Sequence, residues 1–273
     1  MCPKRHLTGS NTKAWGTPSG TSRDEINKFN SITCAKDDAE RLEMQGKNYL
    51  QLLGGLLYAT CMTRPDGAHH VAFLCQFMQD PSPQAYAAGL GVLSYLHTNK
   101  DLGITYGGRV RPCAVDEASS TTSVIAFADS SFGRSVNPFG GGFVEWRNGA
   151  IAWASRKMKF VPLSTCQAEL AMINMMLKEA ICATHILEDM GMKMTVPHVV
   201  NDGKSAIDTV KNPGMTKKST HFERWLQFAR DLYLKKQVFM FACKTDLMMG
   251  DNMTKVTDKT KFFACRNYQM NIK

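Results

Sequence analysis

The sequence holds no uninterrupted run of eighteen apolar residues, so no membrane span is expected. No apolar stretch follows Lys4-Arg5-His6 either, which argues against a secretory signal and for an intracellular protein. The 9 cysteines form no CxxC pair, and their odd number favours free thiols in a reducing compartment over a disulfide framework. Cys182 and His185 lie one helical turn apart without a second pair, so a zinc site is not expected. Acidic residues are in deficit, 24 against 33 basic ones. The excess is concentrated at the end, where residues 204–273 carry 14 Lys and Arg against 6 Asp and Glu. Such a surface suits a polyanion such as nucleic acid, or is simply a solvated basic face; charge alone does not decide.

What is present is ample core material, 44% hydrophobic residues. Residues 1–45, rich in Ser, Thr, Gly, Asn and charge, read as an extended or poorly ordered lead-in. Over 46–110 the texture is mostly helical. One helix begins at Tyr49 and stops before Pro65, a second covers Val71 to Met78, and a third runs from Pro83 to about His97. Asp101 to Arg109, with Leu102, Ile104 and Tyr106 alternating, predicts a short strand, and 111–123 is a polar spacer.

From 124 to 273 the pattern becomes α/β. Val124 to Ala128 has strand length, Gly140 to Trp146 and Ala150 to Ser155 follow, and Asn148-Gly149 signals the hairpin between them. A long helix capped by Ser164 or Thr165 runs to Gly191. Thr195 to Val200 is strand-like, with Pro197 confining its pairing to the later residues. A helix opens at Lys204, another is capped by Ser219 or Thr220, Val238 to Cys243 supplies a further strand, and Asp246 to Lys255 opens a final helix. The order β-β-β-α-β-α-α-β-α predicts a mixed five-stranded sheet, three antiparallel strands first, flanked by helices.

Four carboxylates stand where these elements end or begin: Asp129 after the first strand, Glu169 early in the long helix, Asp202 after the fourth strand, and Asp251 in the last helix. Singly, each has an ordinary reading, since Asp forms turns and Glu offsets a helix dipole. Gathered together, they would repel one another unless a cation neutralised them. Magnesium suits such an all-oxygen set, and a pair of ions roughly 3.5–4 Å apart can activate water and stabilise a leaving oxygen.

The motifs around these carboxylates add a resemblance. Tyr49 to Asp66 (YLQLLGGLLYATCMTRPD), Val92 to Leu96, Phe127 to Gly133 (FADSSFG), Ala152 to Lys157 (AWASRK) and Leu163 to Leu170 (LSTCQAEL) form an ordered series. It continues with Asn201 to Ala206 (NDGKSA), Thr220-His221, and Gly250 to Lys255 (GDNMTK). Over roughly residues 45 to 270 this series resembles the C-terminal part of a copia-type retrotransposon polyprotein. The matching part is the ribonuclease H domain with the reverse-transcriptase connection before it. The resemblance implies a ribonuclease H-like fold preceded by a small helical connection module. It also implies hydrolysis of the RNA strand of RNA–DNA hybrids, with Asp129, Glu169, Asp202 and Asp251 as catalytic metal ligands for two Mg²⁺, replaceable by Mn²⁺. A polymerase segment is the implied partner, and the cytoplasm, a virus-like particle or the nucleus the implied location.

Departures from the family pattern leave a rival reading open, a catalytically inactive remnant serving as a nucleic-acid-binding or assembly module. No YxDD sequence is present, so polymerase activity is not expected from this chain alone. No histidine lies between Ala242 and Gly250, Ser131 replaces a common second Asp, and Leu90, Gly91 and Ser94 stand where Lys or Arg is usual. Lys204, Lys217, Lys218 and Lys244 are candidates for a phosphate track or for a solvated face. Trp146 and Trp153 either stack on nucleic acid or pack in the core, and His221 reads as structural.

Overall fold

The computed structural model describes residues 16–20, 22–108, 122–133, 137–212 and 223–272. Its first part is more ordered than the sequence suggests. Residues expected to form an extended lead-in carry α1 (Arg23–Asn30) and α2 (Asp38–Met44). Ser22 and Glu25 close a reciprocal capping box on α1, and Asp37 caps α2. Each helix is anchored by little apolar surface, with Phe29 and Met44 buried in α1 and α2 and Ile32 between them. These residues pack on α3 (Tyr49–Met62), α4 (Ala68–Leu74) and α5 (Pro83–Thr98). A 3-10 turn, Cys75–Phe77, extends α4 through most of the span expected for the second helix.

Between α3 and α4 the chain buries an ion pair. Arg64 meets Asp66 through two parallel hydrogen bonds, Nε to Oδ1 at 2.9 Å and Nη2 to Oδ2 at 2.8 Å. The Tyr95 hydroxyl donates to Asp66 Oδ2, and Arg64 Nη1 donates to the Asn99 carbonyl. Every charged atom in this corner therefore has a partner, which is the condition for holding charge in a core.

Residues 101–108, expected to include a strand, pair with none. Their backbone instead takes single bonds, Thr105 N to Met270 O and Gly107 N to Arg147 O, while the Tyr106 hydroxyl donates to Ala150 O. The apolar alternation there serves packing against the hairpin and the C-terminal helix, not a ladder.

The sheet is built on β1 (Ile125–Ser130), buried along its whole length. β2 (Phe139–Trp146) and β3 (Gly149–Lys157) run antiparallel, and β4 (His198–Asn201) and β5 (Phe239–Ala242) join parallel on the other side, giving the order β3-β2-β1-β4-β5. This is the ribonuclease H-like sheet that the resemblance implies. The hairpin turn uses Arg147 and Asn148 at φ 49° and 66°, and Gly149 already belongs to β3, so the turn sits one place earlier than the Asn-Gly signal suggests.

α6 (Thr165–Asp189), capped by Ser164, crosses one face, where Ala126, Ala128 and Ala168 allow close approach. It is long and apolar enough to span a membrane by composition, yet half of that stretch is buried within the protein. α7 (Lys204–Lys211) and α8 (Glu223–Leu234) complete this layer, and the cap expected at Ser219 or Thr220 lies outside the described residues. On the opposite face Ile125, Phe127, Phe143 and Val200 pack against Met248 and Tyr268. The final helix is α9 (Lys259–Met270), capped by Asp258. The expected helix over Asp246 to Lys255 is instead two 3-10 turns, Thr245–Leu247 and Asp251–Met253, separated by extended Met248. Val256 and Phe262 reach into the core of the N-terminal helices, so the helical module and the sheet share packing.

The Gly140-Gly141-Gly142 run of β2 is required by contact. A Cβ on Gly142 would lie 1.8 Å from the Phe127 carbonyl oxygen, and one on Gly141 would lie 3.2 Å from that of Met253. Gly141 is paired with Asp129, so this bare stretch lets the 251–253 turn settle beside that carboxylate. Gly142→Ala should cost about 2–3 kcal/mol by overpacking, measured by urea unfolding; an unchanged midpoint would contradict the contact.

Candidate metal centre

Alternation along β1 sends Ile125, Phe127 and Asp129 to one face of the sheet and Ala126, Ala128 and Ser130 to the other. At the rim the two sets converge on α6. Ser130 Oγ donates to Glu169 Oε1 at 2.6 Å, and Asn201 Nδ2 donates to Glu169 Oε2 at 2.8 Å. Asn201 is itself fixed by a bond to the Ala128 carbonyl at 2.7 Å and by accepting from Gly203 N. A Cβ on Gly203 would fall 2.9 Å from Glu169 Cγ, so the glycine admits the glutamate beside the end of β4, where Asp202 follows. One carboxylate oxygen each from Asp129, Glu169 and Asp202 then lie within 4.8 Å of one another. Asp129 and Glu169 are buried and Asp202 is half-buried, so the cluster opens to solvent on the Asp202 side.

Burial pushes the Glu169 carboxyl up to about 8, with Asp129 and Asp202 adding repulsion and the Ser130 and Asn201 donors opposing it. Burial also raises Asp129, against the pull of Lys255 and the Thr254 hydroxyl. Asp129 and Glu169 therefore resist ionisation on their own. A dication fits this donor set: hard oxygen ligands from separate elements, converging on one point, which Lys255 faces only at Asp129.

Asp251 stands outside that group of three. Lys255 Nζ lies 2.5 Å from Asp251 Oδ1 and 3.8 Å from Asp129 Oδ2, and Lys261 Nζ lies 3.2 Å from Asp251 Oδ2. The Thr254 hydroxyl donates to Asp129 Oδ2. Lys255 thus bridges Asp251 to Asp129 at the edge of the cluster. Ser130, Asn201, Thr254, Lys255 and Lys261 all act here without having been singled out in the sequence. The local signals were the adjacency of Ser130 to Asp129 and of Asn201 to Asp202 within the quoted motifs, and the i,i+4 spacing of Asp251 and Lys255; nothing pointed to Lys261.

Of the basic candidates, Lys204 and Lys244 are exposed, on α7 and just after β5, while Lys217, Lys218 and His221 lie outside the described residues. Trp146 packs on the α6-side core. Trp153 packs on the opposite core and donates its indole N–H to the Thr60 carbonyl at 2.7 Å.

No protein-family profile matches the chain. Among curated proteins, it is 26% identical over 242 residues to the "Retrovirus-related Pol polyprotein from transposon TNT 1-94" of Nicotiana tabacum, covering 88% of this chain and 17% of that protein. It is 25% identical to the corresponding polyprotein "from transposon RE1" of Arabidopsis thaliana, over 78% of this chain and 14% of that one. The "Secreted RxLR effector protein 161" of Plasmopara viticola is 26% identical over 52% of this chain and 94% of its own length. The chain therefore spans about a sixth of the polyproteins it matches. Among solved structures, a foamy viral protease-reverse transcriptase in complex with dsDNA aligns over 83% of this chain and 42% of that one, at 13% identity and a TM-score of 0.32.

Proposed function

We propose that the chain is the ribonuclease H part of a retroelement reverse transcriptase and hydrolyses the RNA strand of RNA–DNA hybrids with Mg²⁺. The convergence of Asp129, Glu169 and Asp202 carries this reading. Similarity to transposon Pol polyproteins supports the retroelement setting.

Bound at the carboxylates, magnesium supplies a Lewis acid for phosphoryl oxygen and a water of lowered pKa. The protein's residues do the rest. Ser130 and Asn201 hold both Glu169 oxygens in one orientation, so the carboxylate is preorganised before any ligand arrives. Thr254 fixes Asp129 Oδ2. Asp202, half-buried, marks the side from which a phosphodiester approaches. Exposed Lys204 and Lys244 flank this edge in sequence and supply charge for backbone phosphates, while hybrid geometry and 2′-hydroxyl contacts distinguish RNA from DNA. The test is cleavage of an end-labelled hybrid. Mg²⁺-dependent cuts in the RNA strand, abolished by chelation, are expected. Salt-sensitive hybrid binding with no cleavage under Mg²⁺ or Mn²⁺ would overturn the assignment in favour of a binding module.

A pH dependence follows from the raised carboxyls. With its pKa lifted to about 8, Glu169 binds a proton in the folded state over a range where the unfolded chain has lost it. Metal-free stability contributed by this group is greatest at acid pH and falls as pH rises from the ordinary glutamate range toward about 8. A metal needs the ionised form, so its stabilisation grows across the same interval. The rise in Tm on adding millimolar Mg²⁺ should be small at about pH 5 and largest at about pH 8.5. A rise independent of pH, measured by calorimetry, would contradict this.

A further inference from the structure

The cluster already contains one cation. Lys255 Nζ sits 2.5 Å from Asp251 Oδ1 and 3.8 Å from Asp129 Oδ2, between the two carboxylates on which a second metal ion would have to rest. The other Asp251 oxygen is taken by Lys261 at 3.2 Å, and that ammonium is anchored further by the Thr245 and Asp246 carbonyls at 3.0 and 2.9 Å. Asp251 is almost fully buried, so its two oxygens have ammonium partners where water is scarce. Lys255 is not there by chance of a long side chain. Its backbone N–H bonds the Asp251 carbonyl, and neighbouring Thr254 bonds both that carbonyl and Asp129, so one turn of chain delivers the ammonium and pins its partners.

We infer that Lys255 is a built-in replacement for one of two metal ions: the chain binds a single divalent cation, at Asp129, Glu169 and Asp202, and Lys255 occupies the second cation position against Asp129 and Asp251. The inference rests on the metal-dependent reading above and specifies its metal count. An ion bonded to those same oxygens would be in contact with the ammonium, and two cations so close in a poorly screened site repel strongly. The second ion therefore binds only if Lys255 leaves. Lys255 acts here as a positioning residue, holding Asp129 and Asp251 together, and it supplies one positive charge where an ion would supply two.

Counting bound Mn²⁺ tests this without reference to activity. The full 273-residue chain is titrated with MnCl₂ and free ion is read by electron paramagnetic resonance. Wild type should bind one Mn²⁺ per chain. Lys255→Gln should bind two, and Lys255→Gln with Asp251→Asn should return to one. Lys255→Arg, which keeps the charge, should stay at one. Two ions in wild type, or one in a folded Lys255→Gln chain, would overturn the role of Lys255 and leave the nuclease reading standing. No ion bound by wild type or by Lys255→Gln would remove the nuclease reading itself, and the inference with it.

Discussion

Asp129→Asn should abolish Mg²⁺-dependent hybrid cleavage while leaving the metal-free protein at least as stable as wild type. The carboxylate is buried in the central strand, and burial raises its pKa despite Lys255 and Thr254. Its charge is therefore a burden in the metal-free fold. The amide keeps the shape, and its oxygen still accepts from Thr254, but it loses the charge that holds a cation. Losing a metal's stabilisation of the transition state removes several kcal/mol, so the rate should fall roughly a thousandfold or more. The expected signature is divergence: activity lost, metal-free Tm unchanged or higher, and the Mg²⁺-induced rise in Tm gone. A variant that cleaves like wild type would remove Asp129 from the site. A variant that merely unfolds would make its role structural.

The second large effect lies far from the carboxylates. Arg64→Ala should destabilise the fold by about 3–5 kcal/mol, because it strands the fully buried Asp66 with a lone hydroxyl partner. Urea unfolding followed by circular dichroism measures this directly. The double variant Arg64→Ala/Asp66→Ala should recover part of the loss, since no unpaired charge then remains. Single and double variants that both fall within about 0.5 kcal/mol of wild type would mean the pair contributes little to the fold.

The sequence made some features legible and hid others for physical reasons. β1 to β3 could be read because apolar runs and a turn between short strands are local signals. The long α6 could be read from its periodicity and from the Ser164 cap. α1 and α2 were hidden because each is held by very few buried side chains, although the Ser22–Glu25 box was there to be read. The strand expected over 101–109 came from a true alternation whose partner is a helix end and a hairpin turn, not a strand. The end of the chain misled for a related reason. Asp246 to Lys255 joins the apolar Leu247, Met248 and Met249 to the turn formers Gly250, Asp251 and Asn252; Asp258 caps the helix that forms, and the earlier residues are spent on two tight turns that carry Asp251 to the sheet rim. Three carboxylates could be placed from the elements that bear them. That Asp251 would meet two lysines could not, because Lys261 reaches it only through α9.

The central claim is that Asp129, Glu169 and Asp202 together hold a metal ion. Anomalous scattering from a crystal grown with Mn²⁺ tests it most directly. A peak bonded to one oxygen of each of these residues, at about 2.1 Å, is expected for a small hard dication. Anomalous density that ignores this trio, or none in a well-diffracting crystal at alkaline pH, would contradict it.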